Sequence, residues 1–452
     1  MQKNGPSRRH GCVRAAVGLV LLIALVGAAV LGVAFRRALY NRFYRFPKQA
    51  AAWAAIRAQR VDVPLDDGWH EFRGAMHNHS ELSHDSMMTF PDIAAALHEA
   101  DVDFIFMSDH CIDGKADYSL GWRGEHDGLV FVRGYEMSHG FMPWGLPDDT
   151  VLECGQEPEA LAQRIHDLGG LLFFAHCEHE RRFDLTQLTG VEIYNIHTDL
   201  LDEDIGSLVA DIVLSLRAYP DQTLRVVFDR PTQLLAQWDR LNDTRKIVGI
   251  AANDAHNNVG ARAYYTEDDS LRLLGTSSDE DLIGEWKLNV ITRSLLRLLP
   301  GKLEPGKRVF RVDLDPYARS ARFVNTHLLA RECTEEQLLD AVRAGRAFVG
   351  FDMIADARGF VFLAEGETGS AVMGEFIPIS PNLALKSASP HACRFTLVAD
   401  GAAIAQDTGT SFEFHVTRPG KYRVEAELDV LGQWTPWVYT NPIHVTAEAE
   451  EG

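Results

Sequence analysis

Short apolar runs alternate with amphipathic segments from residue 71 to about residue 351. The apolar runs are typical of buried strands and cover residues 74–77, 103–108, 129–136, 171–176, 190–195 and 246–252. Between them, residues 91–100 and 159–170 carry apolar side chains at helical spacing, the first opened by Pro91 and the second ended by Gly169 and Gly170. Strands that alternate with helices predict a parallel α/β sheet, either open or closed into a barrel.

The pattern changes after about residue 358, where short strand-like runs are separated by Gly, Pro, Asn and Asp. This pattern predicts a small β-sandwich over residues 358–446, followed by an acidic tail at residues 447–452. Ahead of it, residues 333–348 indicate a helix capped by Thr334. We expect this helix to close a first domain that spans residues 71–357.

An uncharged apolar stretch covers residues 15–35 and is long enough to cross a hydrocarbon layer of roughly 30 Å. It predicts one transmembrane helix that acts as a signal anchor, between a basic segment at residues 1–14 and a connector at residues 36–70. A cleaved signal peptide usually has a shorter apolar region, and a buried core helix is rarely bracketed by arginines. Basic residues occur on both sides of the stretch, so their count does not fix its orientation.

Composition and charge exclude several classes of protein. With 452 residues, 46% of them hydrophobic and 24% charged, the chain is globular, with room for two or three domains. The 44 Lys and Arg against 64 Asp and Glu give a net charge of −20, which disfavours nucleic acid as a partner. The six Cys form no CxxC pair, so a thiolate metal cage is not indicated, and a chain of this length needs no disulfide framework.

Metal-ligand residue types follow each predicted strand. His77 and His79 end the first strand two residues apart, so both imidazoles project from one face of an extended backbone, and Asp85 follows them. The later strands end in SDH, GYE, AHCEH, EIYNIH and NDAH, which contribute Asp109, His110, Glu136, His176, His179, Glu192, His197, Asp254 and His256. Because the carboxyl ends of parallel strands meet at one edge of an α/β barrel, we expect these side chains to converge on one pocket.

Imidazole and carboxylate without thiolate indicate a hydrolytic site for Zn²⁺, Mn²⁺ or Fe²⁺. The set is large enough for two or three divalent ions, with Glu136 able to bridge two of them, and no organic cofactor is required. Taken singly, these residues have structural explanations: Asp109 and Asp254 fit helix caps, and we assign His98 and His166 to the core. Their joint occurrence at six strand ends favours a multinuclear metal site.

One known superfamily shows the same order of motifs. The chain carries HNHS with an aspartate eight residues after the first histidine, then SDH, GYE, AH, EIYN and DAH, and over roughly residues 71–260 it resembles the PHP (polymerase and histidinol phosphatase) superfamily. The resemblance implies a distorted (β/α)7 barrel, a trinuclear metal centre and, usually, hydrolysis of a phosphomonoester or phosphodiester. The RAGRAF extension and the β-rich tail are similar to an extracytoplasmic-style branch that lacks the polymerase appendages, which disfavours proofreading.

The resemblance also implies a ligand set. His77, His79, Glu136 and Asp254 would hold one ion, Glu136 and His176 a second, and Asp85, His110 and His256 a third. The superfamily commonly supplies another histidine to the second ion from the strand after the AH motif; here His197 is the nearest candidate, with Glu192 behind it. Catalytic roles are expected for Glu136, Asp254 and His256.

The sequence therefore predicts a membrane-anchored phosphoesterase with an extracytoplasmic catalytic domain, in which a metal-bridging hydroxide attacks a small-molecule phosphoester. Arg123 and Arg262 each lie near a motif and are candidates to bind the substrate phosphate, with solvated surface arginines as the alternative. Two other functions stay open. One is hydrolysis of a carboxylic ester, amide or carbamate on the same centre, and the other is a non-catalytic, metal-containing binding protein.

Overall fold

The computed structural model describes residues 32–33, 35–201, 204–278, 280–289, 292–293, 304–367 and 369–447. The described residues fall into two compact units, one drawn from residues 1–52 and 203–226 and the other from residues 53–202 and 227–452. All nine metal ligands expected from the sequence belong to the second unit.

The strands, in chain order, are β1 (His70–Met76), β2 (Phe104–Phe106), β3 (Asp109–His110), β4 (Lys115–Asp117), β5 (Gly124–His126), β6 (Leu129–Val132), β7 (Tyr135–Glu136), β8 (Phe141–Trp144), β9 (Val151–Glu153), β10 (Leu171–Phe174), β11 (Gly190–Asn195), β12 (Val248–Ala252), β13 (Gly260–Tyr265), β14 (Ser270–Leu274), β15 (Leu282–Lys287), β16 (Arg308–Asp313), β17 (Asn325–Ala330), β18 (Ala347–Gly350), β19 (Val361–Gly366), β20 (Gly369–Val372), β21 (Phe376–Pro378), β22 (Ala384–Ala399), β23 (Ala402–His415), β24 (Gly420–Val430), β25 (Gln433–Thr440) and β26 (Ile443–Thr446).

The helices are α1 (Arg36–Tyr40), α2 (Phe46–Ala58), α3 (Phe90–Ala100), α4 (Pro158–Asp167), α5 (Ile196–Leu201), α6 (Ile205–Ser215), α7 (Pro220–Leu224), α8 (Thr232–Asn242), α9 (Tyr317–Phe323) and α10 (Glu335–Ala344). A π-helical turn (Asn41–Arg45) joins α1 to α2, and 3₁₀ turns occur at Ser138–Gly140 and Arg225–Val227.

The membrane prediction is corrected by the described helices. Among the described residues, no helix is long and apolar enough to cross a membrane. Helices α1 and α2, which follow the apolar stretch, contain 5 and 13 residues, fewer than the roughly 20 that a span needs. Residues 1–14 and most of the expected span at residues 15–35 lie outside the described residues. The single-pass membrane localisation, with its extracytoplasmic catalytic domain, is therefore not retained.

The first unit is held by buried polar and aromatic contacts. The Asn41 side chain donates hydrogen bonds of 2.9 and 3.0 Å to the two carboxylate oxygens of the buried Asp211 on α6. The Arg42 guanidinium lies over the Tyr219 ring, 5.1 Å from its centroid. These contacts join the π-helical turn to α6 and to the segment before α7.

In the second unit, two sheets enclose the core below the site. In the first sheet, β1, β2 and β6 run parallel, and β17 and β18 extend it antiparallel beside β1. In the second sheet, β10, β11 and β12 run parallel, and β8 lies antiparallel beside β10. Met76, Phe106, Phe173 and Ile250 come from both sheets and form one fully buried cluster. The predicted parallel α/β arrangement is confirmed for these central strands.

The predicted closed (β/α)7 barrel is not formed. Across the described residues, the two sheets share no continuous ladder and are linked by isolated bridges, from Gly134 to Trp144 on one side and from Asn78 to Ala255 on the other. The second bridge brings the carboxyl ends of β1 and β12 together. The strand ends therefore still meet at a common rim.

A local change of backbone conformation explains why pairing stops at that rim. Asn253 and Asp254 donate backbone hydrogen bonds of 2.8 and 2.7 Å to the carbonyls of Met76 and His77. His77 and Asp254 then adopt φ values of 60° and 46°, outside the extended range of a strand. The ladder cannot continue through these residues.

Two helices that the sequence predicts are confirmed with their caps. Thr89 Oγ1 accepts a hydrogen bond of 3.3 Å from the Asp92 amide, and Pro91 lies in the first turn of α3. Thr334 Oγ1 accepts one of 3.4 Å from the Gln337 amide at the start of α10, which ends at the left-handed Gly345.

The β-rich tail is confirmed as strands β19 to β26, most of them antiparallel. It is continuous with the first sheet, because β18 pairs antiparallel with β25, with Phe348 opposite Thr440 and Gly350 opposite Val438. The Trp437 indole is fully buried and donates a hydrogen bond of 2.7 Å to the Ala355 carbonyl. A separate antiparallel sheet, in the order β15-β14-β13-β16, follows the last ligand strand and was not expected from the sequence.

Candidate metal centre

The nine expected ligands converge at the rim. They form overlapping groups in which the potential ligand atoms lie within 4.8 Å of one another. The groups are His79, Asp85, His110 and His256; His77, His79 and Glu136; His77, His176 and Asp254; and His197, Asp254 and His256. Side chains that are up to 179 positions apart in the sequence thus share one site, as the strand-end argument predicts.

Three of these ligands sit at sharp backbone bends. His77, His176 and Asp254 follow β1, β10 and β12 with φ values of 60°, 48° and 46°. This left-handed region is uncommon for residues other than glycine and costs on the order of 1–3 kcal/mol each. The bends end the strands and aim the three side chains into the rim.

Asp254 lies at the centre of the cluster. Its side chain is almost fully buried, and both of its carboxylate oxygens face imidazole nitrogens. The distances are 3.5 Å from Oδ1 to His77 Nε2, 3.4 Å from Oδ1 to His79 Nε2, 3.3 Å from Oδ1 to His256 Nδ1, 3.5 Å from Oδ2 to His176 Nε2 and 3.1 Å from Oδ2 to His197 Nδ1.

Glu136 at the end of β7 has the geometry expected of a bridging carboxylate. Its Oε2 lies 3.4 Å from His77 Nε2 and 3.5 Å from His110 Nδ1, while its Oε1 lies 3.3 Å from His176 Nε2. One carboxylate thus faces ligands from three strand ends. The bridging role expected from the sequence stays a prediction.

A second carboxylate, Asp85, completes the outer side of the cluster. Its Oδ2 lies 3.5 Å from His110 Nε2 and 3.3 Å from His256 Nε2. The His79 ring stacks on the His256 ring with centroids 3.8 Å apart, so His79 contributes to this group as well as to that of His77. The ligand groups therefore share members, unlike the mostly separate sets that the resemblance implies.

The buried polar atoms of the cluster fit divalent cations. Several buried polar atoms of the expected ligands have no hydrogen-bond partner among the described residues: His77 Nε2, His79 Nε2, His256 Nε2, Asp254 Oδ1 and Asp85 Oδ1. A buried polar atom without a partner is costly. Cations bound among these atoms would satisfy them together, and imidazole and carboxylate are the donors that Zn²⁺, Mn²⁺ and Fe²⁺ accept.

Charge within the cluster keeps its carboxylates ionised. Burial opposes ionisation of Asp254, but His77 and His197 outweigh it and hold the pKa of Asp254 well below its usual value. Burial opposes ionisation of Glu136 in the same way, and His77 and His176 hold the pKa of Glu136 well below its usual value. Both carboxylates are therefore anionic at neutral pH.

The histidines divide into two kinds. Burial, reinforced by the neighbouring His256, lowers the pKa of His79 to about 3, so its imidazole is neutral and has a free lone pair. Burial would also lower the pKa of His77, but Asp254 and Glu192 outweigh it and raise that pKa well above the usual value. Since a metal ligand must be unprotonated, cation binding at His77 displaces a proton.

Glu192 supports the ligands from behind. Its Oε1 lies 2.5 Å from His77 Nδ1, and its Oε2 accepts a hydrogen bond of 2.7 Å from the His176 amide. Asn195 Nδ2 donates to Glu192 Oε2 at 3.1 Å and to Asp254 Oδ2 at 3.3 Å. Of the two candidates for the ninth ligand, His197 lies in a ligand group, whereas Glu192 lies behind His77.

Asp109 supports the opposite side and is not a helix cap. It accepts hydrogen bonds from the Ser80 amide at 2.6 Å and from the Ser83 hydroxyl at 2.9 Å. Ser83 Oγ also accepts from the His110 amide at 2.9 Å and lies 3.1 Å from His79 Nδ1. Sequence reasoning missed this network, because serines and aspartates next to a motif are equally typical of turns.

The structure does not bring the two candidate phosphate-binding arginines to the cluster. Arg123 Nε donates hydrogen bonds of 2.8 Å to both oxygens of Glu335. Arg262 is buried, and its guanidinium donates to the carbonyls of Gly275 at 3.0 Å and Ser278 at 2.7 Å. These partners explain both arginines as structural residues, so we do not propose them as substrate ligands.

Three other histidines that the sequence analysis named, His98, His166 and His179, lie outside the ligand groups. His98 and His166 were expected in the core, but their side chains are 49% and 65% exposed, on the outer faces of α3 and α4. His98 faces the carboxylate of Asp127 at 3.2 Å. His179 is exposed beside His176, with ring centroids 6.3 Å apart.

No protein-family model matches the chain, and no curated protein matches it. Among solved structures, the chain is similar to a two-domain protein from Bacteroides vulgatus that contains a predicted PHP-like metal-dependent phosphoesterase. The match covers 85% of this chain and 98% of that chain, with 11% sequence identity and a TM-score of 0.37.

Proposed function

We propose that this protein is a metal-dependent hydrolase that cleaves small-molecule phosphoesters at a centre of two or three divalent ions. The observation that carries the proposal is the convergence of nine imidazole and carboxylate side chains, five of which hold a buried polar atom without a hydrogen-bond partner among the described residues. A site built only for structural stability would satisfy these atoms with hydrogen bonds to each other or to the backbone. Here they lie within one cluster and remain without such partners.

The ligand groups suggest how ions would be shared. Asp85, His110 and His256, with His79, would hold one ion at the outer side of the cluster. Asp254 belongs to two of the groups, and the two oxygens of Glu136 face histidines of three groups, so these carboxylates would serve more than one ion. His197 would supply the ninth ligand from α5.

Bound divalent ions would lower the pKa of a coordinated water toward 7 and offset negative charge on the phosphoryl oxygens. The chain's own residues prepare the site for this chemistry. Glu136 and Asp254 remain anionic because of the surrounding histidines, and Glu192 fixes the orientation of the His77 ring. The burial of His77, His79 and Asp254 excludes water from the inner side of the cluster.

The proposal is tested with the full chain, reconstituted with Mn²⁺, on para-nitrophenyl phosphate, bis-para-nitrophenyl phosphate and para-nitrophenyl acetate. We expect hydrolysis of at least one phosphoester and loss of that activity with a chelator. Asp254→Asn should lower the affinity for Mn²⁺ and the hydrolytic activity each by more than about 100-fold, because Asp254 faces five of the histidine ligands.

The matched control is Asp127→Asn, which changes an exposed carboxylate on the outer face and should leave both quantities unchanged. Hydrolysis of the acetate alone would contradict the phosphoesterase proposal and favour a carboxylic ester hydrolase. Stoichiometric Mn²⁺ without turnover of any ester would favour a binding protein.

A further inference from the structure

We propose that a disulfide between Cys111 and Cys154 positions His110 for ion binding, so that reduction of this bond selectively weakens the one ion that His110 would hold. The inference rests on the metal centre of the proposed function. It assigns a role to a bond that was not expected from the sequence.

One end of the disulfide lies directly against two ligands. His110 is the last residue of β3, and Cys111 is the next residue in the chain. Strand β3 pairs in parallel with β7, which places His110 opposite Glu136. Cys111 Sγ lies 3.8 Å from the Glu136 carbonyl oxygen. The sulfur therefore contacts the backbone at Glu136, and the residue that carries it is bonded directly to His110.

The other end is fixed in the body of the unit. Cys154 is 4% exposed and follows β9, which pairs antiparallel with β4. Its amide donates a hydrogen bond of 2.8 Å to the Gly114 carbonyl. The neighbouring Tyr118 is fully buried, and its hydroxyl donates a hydrogen bond of 2.7 Å to the Pro143 carbonyl. The bond thus ties the ligand-bearing β3 to a packed pair of strands.

His110 needs such support more than the inner ligands do. The side chains of His77 and His79 are fully buried at the end of the seven-residue β1, whereas β3 has two residues and the His110 side chain is 26% exposed. Residues 112–115, which follow Cys111, are exposed. Packing alone therefore restrains His110 less than it restrains His77 or His79.

Cys111 is the more accessible sulfur, because it is half-buried while Cys154 is buried. A dithiol reductant would attack Cys111 Sγ, so the bond between the two cysteines breaks, a mixed disulfide forms and Cys154 leaves as a thiol. The second thiol of the reagent then displaces Cys111 as a thiol and closes a cyclic disulfide. The protein gains two electrons and two protons, and the dithiol loses them.

The test is equilibrium binding of Mn²⁺ to the full chain in four forms: oxidised, reduced with the dithiol removed before titration, the double variant Cys111→Ser with Cys154→Ser, and the control Cys333→Ser. Cys333 is a free cysteine, so its variant should bind as the oxidised chain does. The reduced chain and the double variant should bind one Mn²⁺ about 10–100-fold more weakly, with the remaining ions unchanged.

A positioning role predicts non-additivity, which separates it from a general effect on stability. His110→Ala should weaken the same ion, and adding the two cysteine changes to His110→Ala should weaken it no further. Unchanged Mn²⁺ binding after complete reduction would overturn the inference, and so would an equal loss of every ion. An oxidised chain that binds no Mn²⁺ would overturn the proposed centre as well. Because binding and not turnover is measured, failure of the phosphoesterase proposal alone is distinguishable.

Discussion

At the scale of single residues, Glu192 determines how two ligands face the cluster. Its carboxylate contacts His77 Nδ1 and the His176 amide at the same time, so it fixes one ring and one backbone bend. A histidine whose second nitrogen is held by a carboxylate is more basic and better oriented toward a metal. We therefore expect Glu192 to affect cation affinity through His77 and His176.

Glu192→Gln should weaken Mn²⁺ binding by about 10–100-fold, because glutamine keeps the size and one acceptor but loses the negative charge beside His77. Equilibrium dialysis against Mn²⁺ measures the change. Glu180→Gln is the control, since it changes an exposed carboxylate outside the ligand groups. Equal affinity of the Glu192→Gln and unchanged chains would show that Glu192 has only a packing role.

The convergence of the strand-end side chains, Glu192 and Asp109 included, could be predicted from the sequence, but the serines that support them and the partners of the two arginines could not. Residues such as His77 and Asp254 are recognisable because strand ends have a fixed relation in an α/β sheet. The partner of an arginine has no such relation: Arg123 pairs with Glu335, 212 positions away. For an arginine, proximity to a motif in the sequence was therefore a poor guide to the role of the side chain.

At the scale of elements, one buried histidine joins β1 and β17 at the end of the sheet remote from the metal centre. His327 on β17 lies 2.6 Å from Glu71 on β1 through Nδ1 and 2.9 Å from Asp352 through Nε2. Burial lowers the pKa of His327, but Asp352 and Glu71 outweigh the effect of burial and raise this pKa from 6.5 to about 9. The imidazolium thus holds two carboxylates from neighbouring segments.

This ion triad should make stability depend on pH. A raised pKa means that the contribution is complete below about pH 6.5 and is lost as the pH rises through about 9. The free energy of unfolding of the unchanged chain exceeds that of His327→Gln, and this difference should shrink by on the order of 3 kcal/mol over that pH range. The figure follows from about 1.4 kcal/mol for each pH unit between the two pKa values. Urea unfolding of both chains in a chelator measures it, and parallel pH curves would contradict it.

The strands and helices around the site could be predicted because each has a clear periodicity, as α3 and α10 show. Strands β13 to β16 could not, because they are half-exposed and present no continuous apolar run; β15, for example, has no buried residue. The two-residue strands β3 and β7 are too short to give a pattern of their own. Their importance comes from the ligands that they carry.

At the scale of the whole molecule, the first sheet crosses the expected domain boundary at residue 357. Strand β18 pairs with β25, and the Phe351 ring packs edge-on against Tyr439 with centroids 6.0 Å apart. A tail that completes the sheet carrying the candidate metal centre is unlike a separately folded domain. The division into domains at residues 71–357 and 358–446 stays a prediction from the sequence. Whether residues 71–357 fold independently can be tested with a shorter chain.

A chain that ends at residue 357 should be strongly destabilised, because it exposes the edge of β18 and uncovers Phe351. We expect its melting temperature, followed by circular dichroism, to fall by at least about 10 °C relative to the full chain. A chain that ends at residue 447 is the control and should melt like the full chain. An unchanged melting temperature and Mn²⁺ content in the shorter chain would establish an independent domain.

At His77, His176 and Asp254, the left-handed backbone and the metal-binding side chain favour different residue types. Glycine would adopt the same left-handed backbone more readily than histidine or aspartate. Selection for thermally more stable variants of this protein would therefore favour replacements at these three positions, and each such replacement would remove an expected ligand. Resistance to heat and capacity to bind cations are, at these positions, opposing demands on the same residue.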